Sequence, residues 1–182
     1  MRMLALVAAM ALMAGTATTQ TQPSAAELRA GLAGSWSGAL GYRDYQSNEL
    51  FEIPVTTTIT LVADGVTQIR RSLFDDGPDK PVWITTVSLD DPAAGSVTSS
   101  SYRAGRAVEL TTQAVSVAAY VDPKHWSLIY ERIGQDGESE AEIRVTETRD
   151  LDELLEIKEV RPVGSNAEWA YRNQTRLTRV SD

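Results

Sequence analysis

The sequence predicts an all-β protein: an antiparallel, lipocalin-like up-and-down β-barrel of about eight to ten strands with one short N-terminal helix. Three observations carry this. After Gly34 almost the whole chain alternates apolar and polar side chains with a period of two. Turn signals such as Asp64-Gly65 and Asp136-Gly137 break the alternation at short intervals. Only one segment, opening at Ser24, carries a helix-start signature. A long meander has two raw edges unless it closes, and closure into a barrel removes them. A two-sheet sandwich is the alternative architecture.

Residues 1–17 read as a secretory signal peptide. Arg2 gives the positive start, residues 3–14 are uncharged and mostly apolar, and Gly15 and Ala17 place small side chains before the expected cut. The apolar run is shorter than the roughly 20 residues a membrane-spanning helix needs. Residues 18–33 form a polar stub and a short helix, where Ser24 and Glu27 match a capping box and Leu28 and Leu32 share a face. Residues 34–182 form the barrel domain.

The strands follow in order at 35–46, 49–62, 66–74, 82–89, 96–103, 107–121, 125–133, 138–149, 154–161 and 168–180. In the second, Phe51, Ile53, Val55, Ile59 and Leu61 share one face, and Pro54 suggests a bulge or bend. In the eighth, Ala141, Ile143 and Val145 point inward while Glu138, Glu140 and Glu142 point out. Residues 151–159 have helix-forming composition; strand is preferred because Ile157 and Val160 are read as continuing the alternation.

Composition narrows the function. The formal charge of -8, one unit more negative once Arg2 is removed, argues against nucleic acid as a partner. The chain has no cysteine, which excludes disulfides, thiolate metal sites, a cysteine nucleophile and a lipidated cysteine anchor. An exported protein, periplasmic or extracellular, with no stable membrane anchor is expected. Arginine far outnumbers lysine, a bias associated with bacterial GC-rich genomes.

The first strand opens Gly34-Ser35-Trp36-Ser37-Gly38-Ala39-Leu40-Gly41. Glycine, any residue, tryptophan, placed just after a short helix, resembles the opening of the calycin superfamily (lipocalins, fatty-acid-binding proteins, avidins), and Gly38 and Gly41 resemble nitrobindin-type ten-stranded barrels. The resemblance implies that Trp36 closes one end of the barrel, with an arginine from the last strand over its ring. Arg179 is the first choice, read as sharing a face with Trp169, Tyr171 and Leu177; Arg176 is the second. The other lipocalin marks, an aspartate-containing turn motif and a disulfide, are absent from the sequence.

The expected function is binding of a small, mostly apolar molecule inside the barrel. Tyr42, Trp83, Trp126, Tyr130, Trp169 and Tyr171 fall in strands and form the expected lining. Arg132, Glu147 and Arg149 continue apparently inward faces, where a charge must be paired, lie in water at the mouth, or meet a ligand head group. Two alternatives stand: a filled barrel acting on a protein through its loops, and an enzyme with its site at the barrel mouth. No serine sits in a nucleophile elbow. Nitrobindin-like barrels hold haem through a histidine, and His125 is the only one in the chain; beside Pro123 and Lys124 it reads as a surface turn residue. The acids at Asp75, Asp76 and Asp79 read as a solvated turn rather than a calcium loop. No catalytic residue, cofactor or metal is assigned.

Overall fold

The computed structural model describes residues 22–43, 47, 49–78 and 80–180. The signal-peptide reading, the end of the expected first strand and Asp79 lie outside the described residues. Among the described residues one helix, α1 (Ala25–Ala30), precedes ten strands: β1 (Gly34–Arg43), β2 (Leu50–Leu61), β3 (Thr67–Asp75), β4 (Pro81–Asp91), β5 (Ser96–Arg103), β6 (Glu109–Asp122), β7 (His125–Asp136), β8 (Ser139–Asp150), β9 (Glu153–Pro162) and β10 (Ala170–Arg179). Every strand pairs antiparallel with its sequence neighbours, and β1 pairs with β10 to close the barrel.

The helix is capped as its residues dictate. Ser24 accepts from the Glu27 backbone N–H, and the Glu27 carboxylate accepts from the Ser24 N–H at 2.7 Å. The same geometry pulls the Glu27 carboxyl below its ordinary range. Leu28 and Leu32 drop into one end of the barrel and join Trp36, Val55, Ile59, Val97, Trp126, Leu128, Leu154 and Leu177 in the principal core.

Trp36 is 1 % exposed and donates from its indole nitrogen to the Leu32 carbonyl at 2.9 Å. The Arg179 guanidinium lies 4.5 Å from the ring centroid and donates to the carbonyls of Ala33 and Gly31. Gly31 O also accepts from Arg149 at 3.0 Å, so two arginines tie the end of α1 to the rim. Gly34 has φ 135°, and a Cβ there would stand 2.5 Å from the Arg179 guanidinium nitrogen. A Cβ at Gly38 would collide with the Arg176 carbonyl across the β1–β10 pair. Gly38 therefore lets β1 and β10 approach closely at the seam, and Gly34 leaves room for the Arg179 guanidinium.

Several local expectations are corrected. Pro54 makes no bulge: it stays in register opposite Ala39, and the ladder from β2 to β3 begins one residue later at Val55. The strand preferred for 151–159 is present as β9, which begins at Glu153 after a turn in which Leu151 has φ 55°. Its inward residues are Leu154, Glu156, Lys158 and Val160, so Ile157, paired with Thr146 and Gln174, faces out. A register shift between Tyr171 and Asn173 flips the alternation within β10. Trp169 and Tyr171 therefore do not share the inner face that Leu177 and Arg179 occupy.

Candidate functional site

The ring of α1 and the β2–β3, β4–β5, β6–β7 and β8–β9 turns marks the closed end of the barrel. Above the apolar floor the inner face changes character. β3 points Gln68, Arg70 and Ser72 inward; β4 points Thr86, Ser88 and Asp90; β5 points Ser99; β8 and β9 point Glu147 and Glu156. Apart from Ser72 and Asp90, these residues, together with Arg29 of α1, Tyr130 of β7, Gln113 of β6 and the valines Val97 and Val145, line a chamber of about 240 Å³.

The chamber is built from paired charges. Arg29 bonds Asp90, both nearly buried, while Gln68 donates to the Arg29 carbonyl at 3.1 Å. Arg70 crosses the barrel to Glu156. This second pair is 23 % and 24 % exposed, surface that it turns towards the cavities on either side of it. Ser88 bonds Ser99 at 3.0 Å, Thr86 bonds Ser101 at 2.9 Å and Thr57 bonds Ser72 at 2.8 Å, so the hydroxyls are satisfied across neighbouring strands. Tyr130 donates from its hydroxyl to Glu147 Oε2 at 2.6 Å.

Burial depresses the Arg29 guanidinium, but Tyr130, Asp90 and Glu147 around it outweigh burial and raise it. Arg70 is also raised, because Glu156 and Glu147 outweigh its burial. Burial pushes the Tyr130 phenol well up, and the neighbouring Glu147 adds to this. Glu147 is 4 % exposed. Burial first, and then Glu156, push its carboxyl up to about 7 against the opposing pull of Arg29 and Arg70.

Two polar groups in the chamber are left over by the pairing among the described residues. Glu147 Oε1 and the Gln113 side-chain amide have no partner among the described residues. No fully buried side-chain nitrogen or oxygen there lacks a partner, so these groups open onto the chamber's free space.

Two further cavities lie along the inner face. One of about 190 Å³ shares Arg70, Thr86 and Glu156 with the chamber and continues to Phe74 and Ile84. The next, about 220 Å³, shares Phe74 and Ile84 and ends among Tyr42, Asp76, Val82 and Arg103, at the end of the barrel away from α1. The Arg70–Glu156 pair thus stands between chamber and mouth.

The structure scatters most of the sequence-selected residues. Tyr130 and Glu147 meet in the chamber, and Tyr42 lines the mouth. Trp126 lies in the floor, donating to the Pro123 carbonyl at 3.2 Å. Arg149 is committed to the closed end, donating to the carbonyls of Gly31, Pro123 and Leu151. Arg132 lines a separate depression with Ile133, Ile143 and Trp169, so Arg132, Glu147 and Arg149 do not converge at the mouth.

Trp83 is 59 % exposed, on the face opposite its neighbours Val82 and Ile84. Trp169 packs outside, with the Arg144 and Arg161 guanidiniums 4.3 and 4.4 Å from its ring. Tyr171 donates to the Gly41 carbonyl at 3.2 Å and lies under Arg43. His125 bonds Asp122 at 2.7 Å and approaches Asp150, on the outer side of the β6–β7 turn. Among the described residues no three histidine, cysteine or carboxylate side chains cluster as a metal site would need.

Sequence reasoning missed Arg29, Gln68, Arg70, Gln113 and Glu156. The available signal was in β3, where Gln68, Arg70 and Ser72 recur with period two between apolar Ile69 and Leu73.

No family model matches the chain, and no curated protein matches it. Among solved structures, the crystal structure of Rv2717c from M. tuberculosis is similar over 87 % of this chain and 100 % of that one, with 20 % identity and a TM-score of 0.56. A protein of unknown function from the DUF3598 family of Nostoc punctiforme aligns over the same shares at 10 % identity, and its TM-score of 0.28 carries no argument. The first likeness supports the barrel fold alone.

Proposed function

We propose that this protein is a calycin-like barrel that binds one small molecule in the inner chamber and works outside the cytoplasm after loss of residues 1–17. The observation that carries the binding reading is the 240 Å³ chamber in which Glu147 Oε1 and the Gln113 amide have no partner among the described residues. A cavity of about 150 Å³ takes benzene, so by scaling the chamber suits a ligand of about ten non-hydrogen atoms. That is too little space for a long acyl chain. The polar lining favours a ligand of mixed polarity over the mostly apolar one expected from the aromatic residues. A filled barrel acting through its loops would leave the interior packed, and three cavities along the axis speak against that.

Methyl NMR during titration with benzamide tests the reading. The expected result is saturable shifts of the Val97 and Val145 methyls. Shifts confined to the outer surface around Trp83, or none, would overturn it. The export reading rests on the leader sequence, and N-terminal sequencing of the mature protein tests it; a start near Thr18 is expected.

A further inference from the structure

Resting on that reading, we infer that the chamber's ligand is a small organic cation, an amine or amidinium on an apolar body, held by the Glu147 carboxylate. The charge count around the chamber carries the inference. Facing Glu147 are Tyr130 from β7, Glu156 from β9, Arg70 from β3 and Arg29 from α1, with Asp90 of β4 behind Arg29. Arg29 is committed to Asp90 and Arg70 to Glu156. Three carboxylates thus face two guanidiniums; Lys158, the next inward cation of β9, lies against Asp136 at 3.7 Å, and Glu147 is the carboxylate without an ion pair among the described residues. Its only described partner is a neutral hydroxyl on Oε2.

A buried carboxylate in surplus must be compensated, by a proton or by a cation. A cationic ligand replaces the proton and gives Oε1 a charge-assisted hydrogen bond. The Gln113 side-chain carbonyl offers a second acceptor on the chamber wall, while Val97, Val145 and the Tyr130 ring give the apolar body its contact surface. An anion would meet a surplus of like charge and would have to take an arginine from Asp90 or Glu156. The raised carboxyl of Glu147, near 7, fits this exchange of proton for cation.

Calorimetry with the isosteric probes benzamidinium, benzamide and benzoate tests the inference, with the Val97 and Val145 methyl shifts reporting location. At about pH 8 benzamidinium should bind about tenfold more tightly than benzamide, with benzoate weakest. The preference should narrow by about pH 6, where Glu147 holds its proton, because the cation must then displace it. Glu147→Gln should bring benzamidinium down to the affinity of benzamide. Benzoate binding best, or a benzamidinium preference that survives both acid pH and Glu147→Gln, overturns the inference. Benzamide bound in the chamber without any preference for the cation overturns it too, while leaving the barrel a binding protein. Failure of all three probes to shift the valine methyls removes both readings together. The pH comparison on the unaltered chain decides the matter even where the variant folds poorly.

Discussion

The closed end and the inner chamber are made by the same strands, on the same inner face, only a few residues apart. At the closed end the inward positions are Trp36, Ile59, Trp126, Leu154 and Leu177, and they pack into one buried apolar cluster. In the chamber the inward positions are Gln68, Arg70, Ser88, Tyr130, Glu147 and Glu156, and space remains. Apolar side chains gain by touching, so a floor of them collapses to crystal-like density. Charged side chains gain by reaching particular partners, so a cross-barrel pair can brace the wall and leave a void beside it. The packed core of this barrel therefore lies at one end, and its free internal space lies above it.

The largest effect is expected from the floor. Trp36→Ala removes the side chain that α1 and Arg179 both hold, and should cost about 3–5 kcal/mol in chemical denaturation. A loss below about 1 kcal/mol would mean that the closed end is not the stabilising half. Arg29→Met strands Asp90 without its partner at the boundary of the two regions. The expected loss is about 3 kcal/mol, and combining it with Asp90→Leu should recover most of it. If the double variant is no better than the single, the pair is not an isolated charge couple.

The smallest and most pH-sensitive effect belongs to the chamber. Glu147 has its carboxyl raised from 4.5 to about 7 in the folded protein. The folded state binds this proton more tightly, so the contribution is fully present below about pH 4.5 and is lost as pH rises through about 7. Glu147→Gln should therefore change stability little at about pH 4.5 and raise it at about pH 8, by on the order of 3 kcal/mol at most. Equal shifts at both pH values would show that Glu147 does not titrate in the barrel.

The same contrast explains what was legible in the sequence. Alternation with Ile53, Val55 and Ile59, or with Ala141, Ile143 and Val145, marks an inner face where that face is apolar. Ser24 and Glu27 mark the helix because capping is local. Tyr130 and Glu147 were readable because each follows buried neighbours two residues away on its own strand. β3 reverses the signal: Ile69 and Leu73 face out while Gln68, Arg70 and Ser72 face in, because the chamber needs polar groups. Trp83 likewise turns out while Ile84 turns in. Arg29 is adjacent to Leu28 in a helix too short to show its face, and its partner Asp90 lies on a distant strand. Trp169 and Tyr171 were misplaced because the β10 register shift changes parity without a sequence mark.

The most direct measurement is a crystal structure of the protein soaked with benzamidinium. The amidinium is expected on Glu147 Oε1, with its ring between Val97, Val145 and Tyr130 and the Arg70–Glu156 pair still in place. A chamber closed by collapse of Arg70 and Glu156 onto Tyr130, with the probe bound only outside the barrel, would contradict it.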